Sequence, residues 1–549
     1  MNQNEKLFSN TGIDSIGFYT PRLFVDLEEL AIKRDVDPDK FRIGLMLKEM
    51  RIPELDEDII AMGTKAGHYA LMRGNIPPSE IDAVFVGTET MTYAVKSASN
   101  IFSQLLGIST NSITQDVTNA CASGTLAILN AIALVDREII NKALVICADI
   151  SSYELESPSE PTQGAGAIAL VISKNPRIAK FSKRFGKVSG NINDFFRVAN
   201  EKNAQVFGKY SVKSYLNFQL KAYDDLMSNQ IGDDFYTNYY TFHAPFSKLP
   251  VKCMRQIIEK RWIRDFNALL DTQLKDITFN FFQKFESFFH NILQKSFTLP
   301  EYIYLKLKEN GLSSRKMEGL SRWIQNNFQK KLLPQLRVPS HFGNMYSASV
   351  WAQILYILEN FAKPEETIYF GSYGSGATCI SGLLKVQQEA RNVLQNGPRL
   401  SDFIDNRKVK LSIQEYEKLK KGRLEPKIAI GKIKEHKRNG DRGFTLHFCD
   451  KGCIIPPIDG LDHCPRGHKG FHTKFFPLYA KLKTKPVIRV VEDMSFLNED
   501  YIRVKENAHK GNLMEYEVRR IGVMNEDEKN NMHGILNWVP TYYPTDRIY

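Results

Sequence analysis

A thiol, a carboxylate and an imidazole lie at points of the chain where they could act together. Cys121 stands between an apolar, β-branched run and an aliphatic run at residues 126–129, so the pattern places it where the chain turns into a helix. The free N–H groups and positive dipole end of a helix N-terminus lower the pKa of a thiol. A lone cysteine is more often a small buried hydrophobe. A functional role for Cys121 therefore depends on residues elsewhere in the chain.

Two further stretches supply those residues. Glu89 follows the strand-like run at residues 83–86, and His243 follows the aromatic pair Tyr239 and Tyr240. Glu, then Cys, then His, each at the end of a predicted strand, resembles the hydroxymethylglutaryl-CoA (HMG-CoA) synthases of the thiolase superfamily. Four more stretches resemble that family's motifs in the family's order: EPTQGAGA from Glu160, NDFF from Asn193, GNMYSAS from Gly343 and SYGSGA from Ser372. The resemblance extends from about Gly12 to about Gly422.

The resemblance implies a fold and a domain organisation. The expected fold is α/β, a duplicated thiolase-like arrangement of five layers (α-β-α-β-α), in which catalytic groups from both halves meet at one site. The first half, residues 1–175, would carry the Glu and the Cys, and the second, residues 176–422, the His. A helical, Phe-rich insertion is expected at about residues 263–336, and residues 423–549 are expected to form a small β domain.

The resemblance also implies roles for the three residues. Cys121 would accept an acetyl group from acetyl-CoA, and Glu89 would remove a proton from the acetyl methyl group. His243, expected to titrate near neutrality, would bind the ketone oxygen of acetoacetyl-CoA and protonate the alkoxide. The backbone N–H groups of Cys121 and Ser375 would form the oxyanion hole. The implied enzyme is an acyltransferase that makes HMG-CoA for the mevalonate route to isoprenoids, without a metal or redox cofactor.

Supporting positions carry over from the same motifs. The residues expected to orient His243, water or substrate are Asp149, Tyr153, Asp194, Asn344 and Tyr346. Lys248 and Lys252 would pair with the phosphates of coenzyme A as point charges. Taken singly, each Asp could instead form a cap or a turn, and each Lys a solvated surface.

Alternating strands and helices would position these residues. The strands are predicted at residues 12–21, 83–86, 112–117, 143–148, 239–242, 367–372 and 379–386. The helices are predicted at residues 25–34, 56–72, 97–106, 125–133, 251–259 and 344–357. Such alternation is typical of a parallel or mixed sheet with helices on its faces. The sequence shows no repeat by eye, so the duplication is implied by the resemblance alone.

The last segment contains candidate zinc ligands. Cys449, Cys453, Cys464 and His468 form two pairs separated by ten residues, which suits tetrahedral zinc, although a spacing of two residues within a pair is more usual. A reduced loop without metal is the alternative. Runs at residues 487–491 and 516–521 predict strands of the β domain. A zinc ribbon followed by a β-barrel is similar to the small acyl-CoA-associated proteins that accompany archaeal thiolases and HMG-CoA synthases.

Composition bounds the class of protein. Of 549 residues, 43% are hydrophobic and 25% charged, as in soluble globular proteins, and the length predicts two to four domains. The net charge of +11 fits a nucleic acid, a membrane surface or an anionic cofactor, and the resemblance selects coenzyme A over nucleic acid. The seven cysteines lie far apart except for Cys449, Cys453 and Cys464, and together with the lack of a secretory or membrane-spanning pattern they predict a cytoplasmic protein. A homodimer and a complex with an acetoacetyl-CoA thiolase are implied by the resemblance.

Two other functions remain open from the sequence. A relative could perform the same condensation on β-ketoacyl chains bound to a carrier protein, in polyketide β-branching, and release of free CoA from two CoA thioesters would discriminate the two. A non-catalytic scaffold for partner enzymes or RNA is a hypothesis of another class. The presence of Glu89, Cys121 and His243 together argues against the scaffold.

Overall fold

The structure is a computed structural model that describes residues 6–54, 57–198, 204–227, 231, 237–257 and 330–421 with their side chains. Beyond these it describes the backbone of six short strands in residues 436–544. The chain divides into two compact units, Met1–Ile52 with Ala66–Ile413, and Pro53–Lys65 with Gln414–Tyr549. The candidate site residues that the structure describes all lie in the first unit.

The first half of that unit contributes five strands to a large mixed sheet. They are β1 (Phe8–Tyr19), β4 (Ala83–Gly87), β5 (Ile113–Val117), β6 (Lys142–Ser151) and β7 (Gly164–Lys174). Their order is β5-β4-β6-β7-β1. Strand β4 is parallel to β5 and β6, whereas β7 is antiparallel to β6 and β1. Strands β6 and β7 are almost wholly buried and nearly continuous in apolar residues, as expected of strands covered on both faces.

The second half repeats the order and direction of four of these five strands. Its strands are β8 (Ala179–Ser182), β9 (Gly186–Ser189), β12 (Tyr239–Phe242), β13 (Thr367–Gly374) and β14 (Thr378–Val386). The order is β12-β13-β14-β8, with β12 parallel to β13 and the other two pairs antiparallel, and β9 also pairs with β14. Strand β8 pairs with β1 and joins the halves. Matching order and direction support the expected duplication.

Helices connect the strands and cover the sheet. The described helices are α1 (Leu27–Lys33), α2 (Ile59–Gly74), α3 (Ala98–Leu105), α4 (Ser123–Asp136), α5 (Gly208–Leu226), α6 (Lys248–Ile257), α7 (Arg337–Phe342), α8 (Ser349–Asn360), α9 (Ala390–Leu394), α10 (Leu400–Asp405) and α11 (Ile413–Lys420). Helix α4 precedes β6 and α8 precedes β13, so they occupy equivalent places in the two halves. Both are largely apolar, and α8 buries Trp351 completely.

Small elements complete the first unit. Strands β2 (Leu23–Asp26), β3 (Glu49–Arg51) and β15 (Val409–Lys410) form a three-stranded sheet, and β10 (Phe195–Phe196) pairs with β11 (Gln205–Val206). Short 3₁₀ helices span Pro78–Glu80, Glu160–Thr162, Pro334–Leu336 and Tyr346–Ala348, and a π-helical turn spans Lys40–Leu45. The 3₁₀ turn at Tyr346–Ala348 leads directly into α8, where the sequence predicted a single helix from residue 344.

The described part of the C-terminal segment consists of strands. A four-stranded sheet contains β16 (His436–Arg438), β17 (Asp441–Phe448), β18 (Ile454–Ile455) and β19 (His472–Pro477), and β20 (Met514–Ile521) pairs with β21 (Asn537–Pro544). The strand predicted at residues 516–521 is thus confirmed. The strand predicted at residues 487–491, most of the predicted insertion and the four candidate zinc ligands lie outside the described residues. The predicted domain borders stay predictions.

Candidate active site

Cys121 occupies the turn between β5 and α4, as the sequence predicted. Ala122 caps α4, and the residue before the cysteine, Ala120, has a left-handed backbone with φ of 44°. This tight turn places the buried Cys121 directly before the first turn of the helix. Gly124 is required there, because a Cβ atom at this position would lie 2.5 Å from the sulfur of Cys147 on β6. Helix α4 can therefore pack closely against the sheet.

Glu89 meets Cys121 directly. The Sγ of Cys121 donates a hydrogen bond to Oε1 of Glu89 at 3.6 Å. Glu89 lies two residues beyond β4, and its backbone N–H donates to Oδ1 of Asp149 at 2.9 Å. Unlike the cysteine, Glu89 keeps part of its surface accessible. A nucleophile and a carboxylate thus face the same space.

The surroundings of Cys121 and Glu89 raise the pKa of both groups, and for Cys121 this is the opposite of the sequence-based expectation. Burial raises the pKa of the Cys121 thiol well above its ordinary value, and the nearby Glu89 and Asp149 carboxylates raise it further. Burial, then Asp149, likewise raises the pKa of Glu89 well above its usual range. The prediction of a thiol acidified by the helix N-terminus is therefore wrong for the free protein. Two neighbouring carboxylates and the loss of solvation outweigh the helix dipole.

Asp149 links the two halves. Its Oδ1 accepts hydrogen bonds from the hydroxyls of Thr88 at 2.8 Å and Thr90 at 2.9 Å, in addition to the Glu89 N–H. Its Oδ2 accepts the N–H of Ser347 at 3.0 Å and also the Ser347 hydroxyl. Burial is nevertheless the largest influence on the pKa of Asp149 and raises it. A buried carboxylate with this many donors fixes Glu89 relative to the second half.

Backbone hydrogen bonds hold His243 in place, while its ring has no hydrogen-bond partner among the described residues. The His243 N–H donates to Gly371 O at 2.8 Å, and the hydroxyl of Tyr215 donates to His243 O at 2.6 Å. Gln353 Nε2 donates to the preceding carbonyl oxygen, that of Phe242, at 3.0 Å. Both ring nitrogens are buried without a hydrogen-bond partner in the described structure. Buried polar atoms of this kind are costly, which favours a substrate group as their partner.

Burial also changes the protonation expected of His243. It lowers the pKa of His243 to about 3, so the imidazole is neutral in the free protein and does not titrate near neutrality as predicted. A neutral ring can donate one hydrogen bond and accept another. A negative charge that develops on a bound oxygen would favour the protonated ring.

The connectivity places Glu89 and His243 in equivalent positions. Glu89 follows β4, which is parallel to β6. His243 follows β12, which is parallel to β13, the strand that corresponds to β6 in the second half. Pairing of Phe242 with Gly371 puts His243 beside Ser372, whose hydroxyl accepts a hydrogen bond from Thr125 of α4 at 2.8 Å. Strand β12 therefore brings the backbone of His243 beside a residue that contacts the first turn of α4, the helix that begins next to Cys121.

The end of β13 brings Ser375 to the Cys121 turn. A Cβ atom at Gly374 would lie 2.5 Å from the carbonyl oxygen of Asn119, so only glycine allows this approach. Asp194 fixes the same hairpin, because its Oδ1 accepts the Gly376 N–H at 3.1 Å and its Oδ2 accepts the Tyr373 hydroxyl at 2.6 Å. Ser375 is therefore next to the turn that carries Cys121, as an oxyanion hole shared by the two would require.

Three predicted orienting residues form a wall of the site. The Tyr346 hydroxyl donates to the Tyr153 hydroxyl at 3.2 Å, and the ring of Phe195 packs against both rings, with centroids 6.1 and 6.5 Å away. Asn344 Oδ1 accepts the N–H of Tyr346 at 3.0 Å. Tyr346 is held with φ of 43°, a strained value for a residue other than glycine. Burial raises the pKa of Tyr153 and of Tyr346, so both phenols stay protonated.

Comparison with known families agrees with this geometry. The family model described as hydroxymethylglutaryl-coenzyme A synthase N terminal matches residues 8–177, and the one described as hydroxymethylglutaryl-coenzyme A synthase C terminal matches residues 190–423. The chain belongs to the HMG-CoA synthase family. Both matches together span most of the chain and contain every candidate residue except the four proposed for zinc.

Individual HMG-CoA synthases show the same relationship. The HMG-CoA synthase of Enterococcus faecalis is 28% identical over 410 residues, which cover 74% of this chain and 90% of that protein. The solved complex of MvaS with 3-hydroxy-3-methylglutaryl coenzyme A is 25% identical, with a TM-score of 0.61 and coverage of 79% of this chain and 98% of that one. The HMG synthase of the curacin biosynthetic pathway is 24% identical, with a TM-score of 0.59 and coverage of 75% and 88%, and this likeness shows the fold alone.

Lys248 and Lys252 lie on the first turns of α6, which begins five residues after His243 in this HMG-CoA synthase family member. Burial, followed by the charge of Lys252, lowers the pKa of Lys248, and burial followed by Arg255 lowers that of Lys252. Three cations, Lys248, Lys252 and Arg255, lie within about two turns of one helix and are suited to an anionic ligand.

Sequence reasoning missed several residues of the site. Thr88 and Thr90 flank Glu89, and Ser347 lies within the GNMYSAS motif, yet only the structure shows that all three bind Asp149. Tyr215 lies on α5, a helix the sequence reading omitted. Within the described ranges, no group of three His, Cys, Asp or Glu residues could hold a metal ion.

Proposed function

We propose that this protein condenses acetyl-CoA with acetoacetyl-CoA to give HMG-CoA and free CoA through an acetyl-Cys121 intermediate. The observation that carries the proposal is the 3.6 Å hydrogen bond between the Cys121 thiol and the Glu89 carboxylate at the start of α4. In the second half, His243 offers buried ring nitrogens that have no hydrogen-bond partner among the described residues. Membership of the HMG-CoA synthase family supports the same reaction.

The first step is acetyl transfer. Cys121 Sγ attacks the carbonyl carbon of acetyl-CoA and forms a new thioester as the bond to the sulfur of CoA breaks. Because the pKa of the free thiol is raised, its proton must leave during the attack, and Glu89 is the hydrogen-bonded acceptor. Glu89 then passes this proton to the departing CoA thiolate. The backbone N–H groups of Cys121 and Ser375 would stabilise the oxyanion.

The second step forms the carbon–carbon bond. Glu89 removes a proton from the acetyl methyl group, and the resulting enolate attacks the ketone carbon of acetoacetyl-CoA. His243 hydrogen-bonds the ketone oxygen and supplies a proton as that oxygen becomes an alkoxide. A carboxylate whose pKa is raised by burial is a stronger base for this task than an exposed one. Water then hydrolyses the thioester, which releases HMG-CoA and regenerates the thiol.

CoA thioesters fit the site as substrates. Lys248 and Lys252 lie five and nine residues after His243 and would bind the phosphates of CoA, while Asp194, Asn344 and Tyr346 would orient the groups around the reacting carbons. This reaction requires no metal or redox cofactor in its chemistry. Zinc at Cys449, Cys453, Cys464 and His468 remains a prediction.

We propose a homodimer that pairs along β5. This strand lies at the end of the described sheet order, and Ile113 is 44% exposed. Val95, in the loop beyond Glu89, is 97% exposed. An edge strand with exposed apolar side chains favours pairing with another strand. Association with an acetoacetyl-CoA thiolase, which would make the second substrate, also remains a prediction.

A cytoplasmic location is proposed from the cysteines. Cys121, Cys147, Cys253 and Cys379 are all free and buried, which is typical of proteins from a reducing compartment. No described helix is both long enough and apolar enough to cross a membrane.

The test supplies purified protein with acetyl-CoA and acetoacetyl-CoA and follows HMG-CoA by mass spectrometry. A parallel reaction offers the same acyl groups on a carrier protein. We expect HMG-CoA and free CoA without any carrier. Product from carrier-bound substrates alone would replace the proposal with β-branching, and no product from either would refute catalysis of this condensation.

A further inference from the structure

Arg197 contacts the residue that supplies the base. It directly follows β10, whose Phe195 ring packs against Tyr153 and Tyr346 over the site. The Nη2 of Arg197 donates to the backbone carbonyl oxygen of Glu89 at 3.4 Å, and the rest of the side chain is exposed. The segment that covers the site therefore also brings a cation to Glu89.

The other described titratable groups around Glu89 are one carboxylate and several neutral side chains. Asp149 is a buried carboxylate that raises the pKa of Glu89 after burial itself, whereas the Cys121 hydrogen bond and the Arg197 charge lower it. Tyr153 and Tyr346 are protonated phenols. Among the described residues facing Glu89, Arg197 is the cation that opposes desolvation.

We propose that Arg197 is a positioning residue for condensation: it holds the backbone of Glu89 at the rim of the site and keeps the carboxylate in the anionic form that takes the methyl proton. The inference rests on the proposed function for the role of Glu89. Its charge acts across the surface, so salt weakens the effect. Arg197 touches Glu89 and not the reacting carbons.

The test compares Arg197→Ala with Arg197→Lys and with Arg184→Ala, a control at another exposed arginine. The rate of HMG-CoA formation is measured from acidic to alkaline pH at low and high salt. Arg197→Ala moves the acidic limb of kcat/KM to higher pH, because a Glu89 without its cation protonates more readily. At acidic pH its rate falls by about threefold at low salt, as expected for one exposed charge pair, and the difference shrinks at high salt. In Arg197→Lys and Arg184→Ala, the acidic limb of kcat/KM lies at the same pH as in the wild type.

Two results would overturn the proposal. One is a raised KM for acetyl-CoA at every pH with an unmoved acidic limb, since Arg197 would then bind a CoA phosphate. The other is an Arg197→Ala profile that matches the wild type throughout. Infrared titration of Glu89, identified by subtracting a Glu89→Gln spectrum, needs no substrate. A raised midpoint in Arg197→Ala would uphold the effect on Glu89 even if wild-type protein failed to make HMG-CoA, and an unchanged midpoint would refute it.

Discussion

Replacement of Asp149 by Asn should separate two effects of this carboxylate: its hydrogen bonds stabilise the fold, and its charge raises the pKa of Glu89. The side-chain oxygen of Asn can serve the donors of Thr88, Glu89 and Thr90, but its amide group then faces the N–H of Ser347, another donor. The hydrogen bond from the Ser347 N–H to a charged group is lost, whereas the Ser347 hydroxyl can accept from the new amide and donate to Gly87 O. We expect the free energy of unfolding to fall by about 1.5–3 kcal/mol, the contribution of one hydrogen bond to a charged group.

The same change should alter the pH profile in a defined direction. Asp149 raises the pKa of Glu89, so removal of its charge lowers that pKa and keeps the carboxylate ionised to lower pH. The acidic limb of kcat/KM for the residual condensation therefore moves to lower pH, although the maximal rate decreases because Glu89 is held less firmly. This direction is opposite to that expected for Arg197→Ala.

Urea unfolding followed by intrinsic fluorescence and HMG-CoA formation across pH measure the two effects. Asp116→Asn is the matched control, since Asp116 accepts the N–H groups of Ala98 and Ser99 at 2.6 and 2.9 Å at the start of α3 and is not among the charges that shift the pKa of Glu89. Asp116→Asn should lower the free energy of unfolding by about 1 kcal/mol, as the loss of a helix cap does, and should leave the acidic limb of kcat/KM at the wild-type pH. A folded Asp149→Asn protein whose acidic limb stays or moves to higher pH would refute the electrostatic reasoning.

Three further outcomes are expected. Glu89→Ala should still be acetylated on Cys121, but more slowly because the thiol loses the carboxylate that accepts its proton, and it should not condense; mass spectrometry and HMG-CoA assays together check this, and HMG-CoA formation by this variant would contradict it. His243→Ala should form the acetyl-enzyme and lower condensation by about 10²–10⁴-fold, measured as kcat, with wild-type turnover as the opposing result. Gly374→Ala should slow acetylation by displacing the Cys121 turn, since its Cβ would lie 2.5 Å from Asn119 O, whereas Gly208→Ala, which meets no atom within 4 Å, should acetylate at the wild-type rate.

Much of the fold could be predicted from local pattern. The apolar runs at residues 83–86 and 239–242 are strands almost as predicted, since such runs are bounded by polar residues and glycine. Helix α1 begins at Leu27, two residues later than predicted, because Asp26 accepts the N–H groups of Glu28 and Glu29 and caps the helix there. Helix α5 was missed, since its mixed polar and aromatic sequence has no clear start signal and Phe207 makes no side-chain cap.

The site was predictable as a set of residues but not in its electrostatics. The resemblance selected Glu89, Cys121 and His243, and the first two are now seen in contact. Desolvation depends on what surrounds a group in three dimensions, so the raised pKa of Cys121 and the lowered pKa of His243 could not be read from neighbouring sequence. The link from Asp149 to Ser347 also joins positions too far apart in the chain for local pattern to reveal.

The most direct test of the account follows one acetyl group through the protein. Protein is incubated with isotopically labelled acetyl-CoA, the labelled residue is identified by peptide mass spectrometry, and unlabelled acetoacetyl-CoA is then added. We expect one label on Cys121 that disappears as labelled HMG-CoA forms. A label on another residue, or an acetyl-Cys121 that acetoacetyl-CoA does not discharge into HMG-CoA, would contradict the catalytic role of Cys121 beside Glu89 and His243.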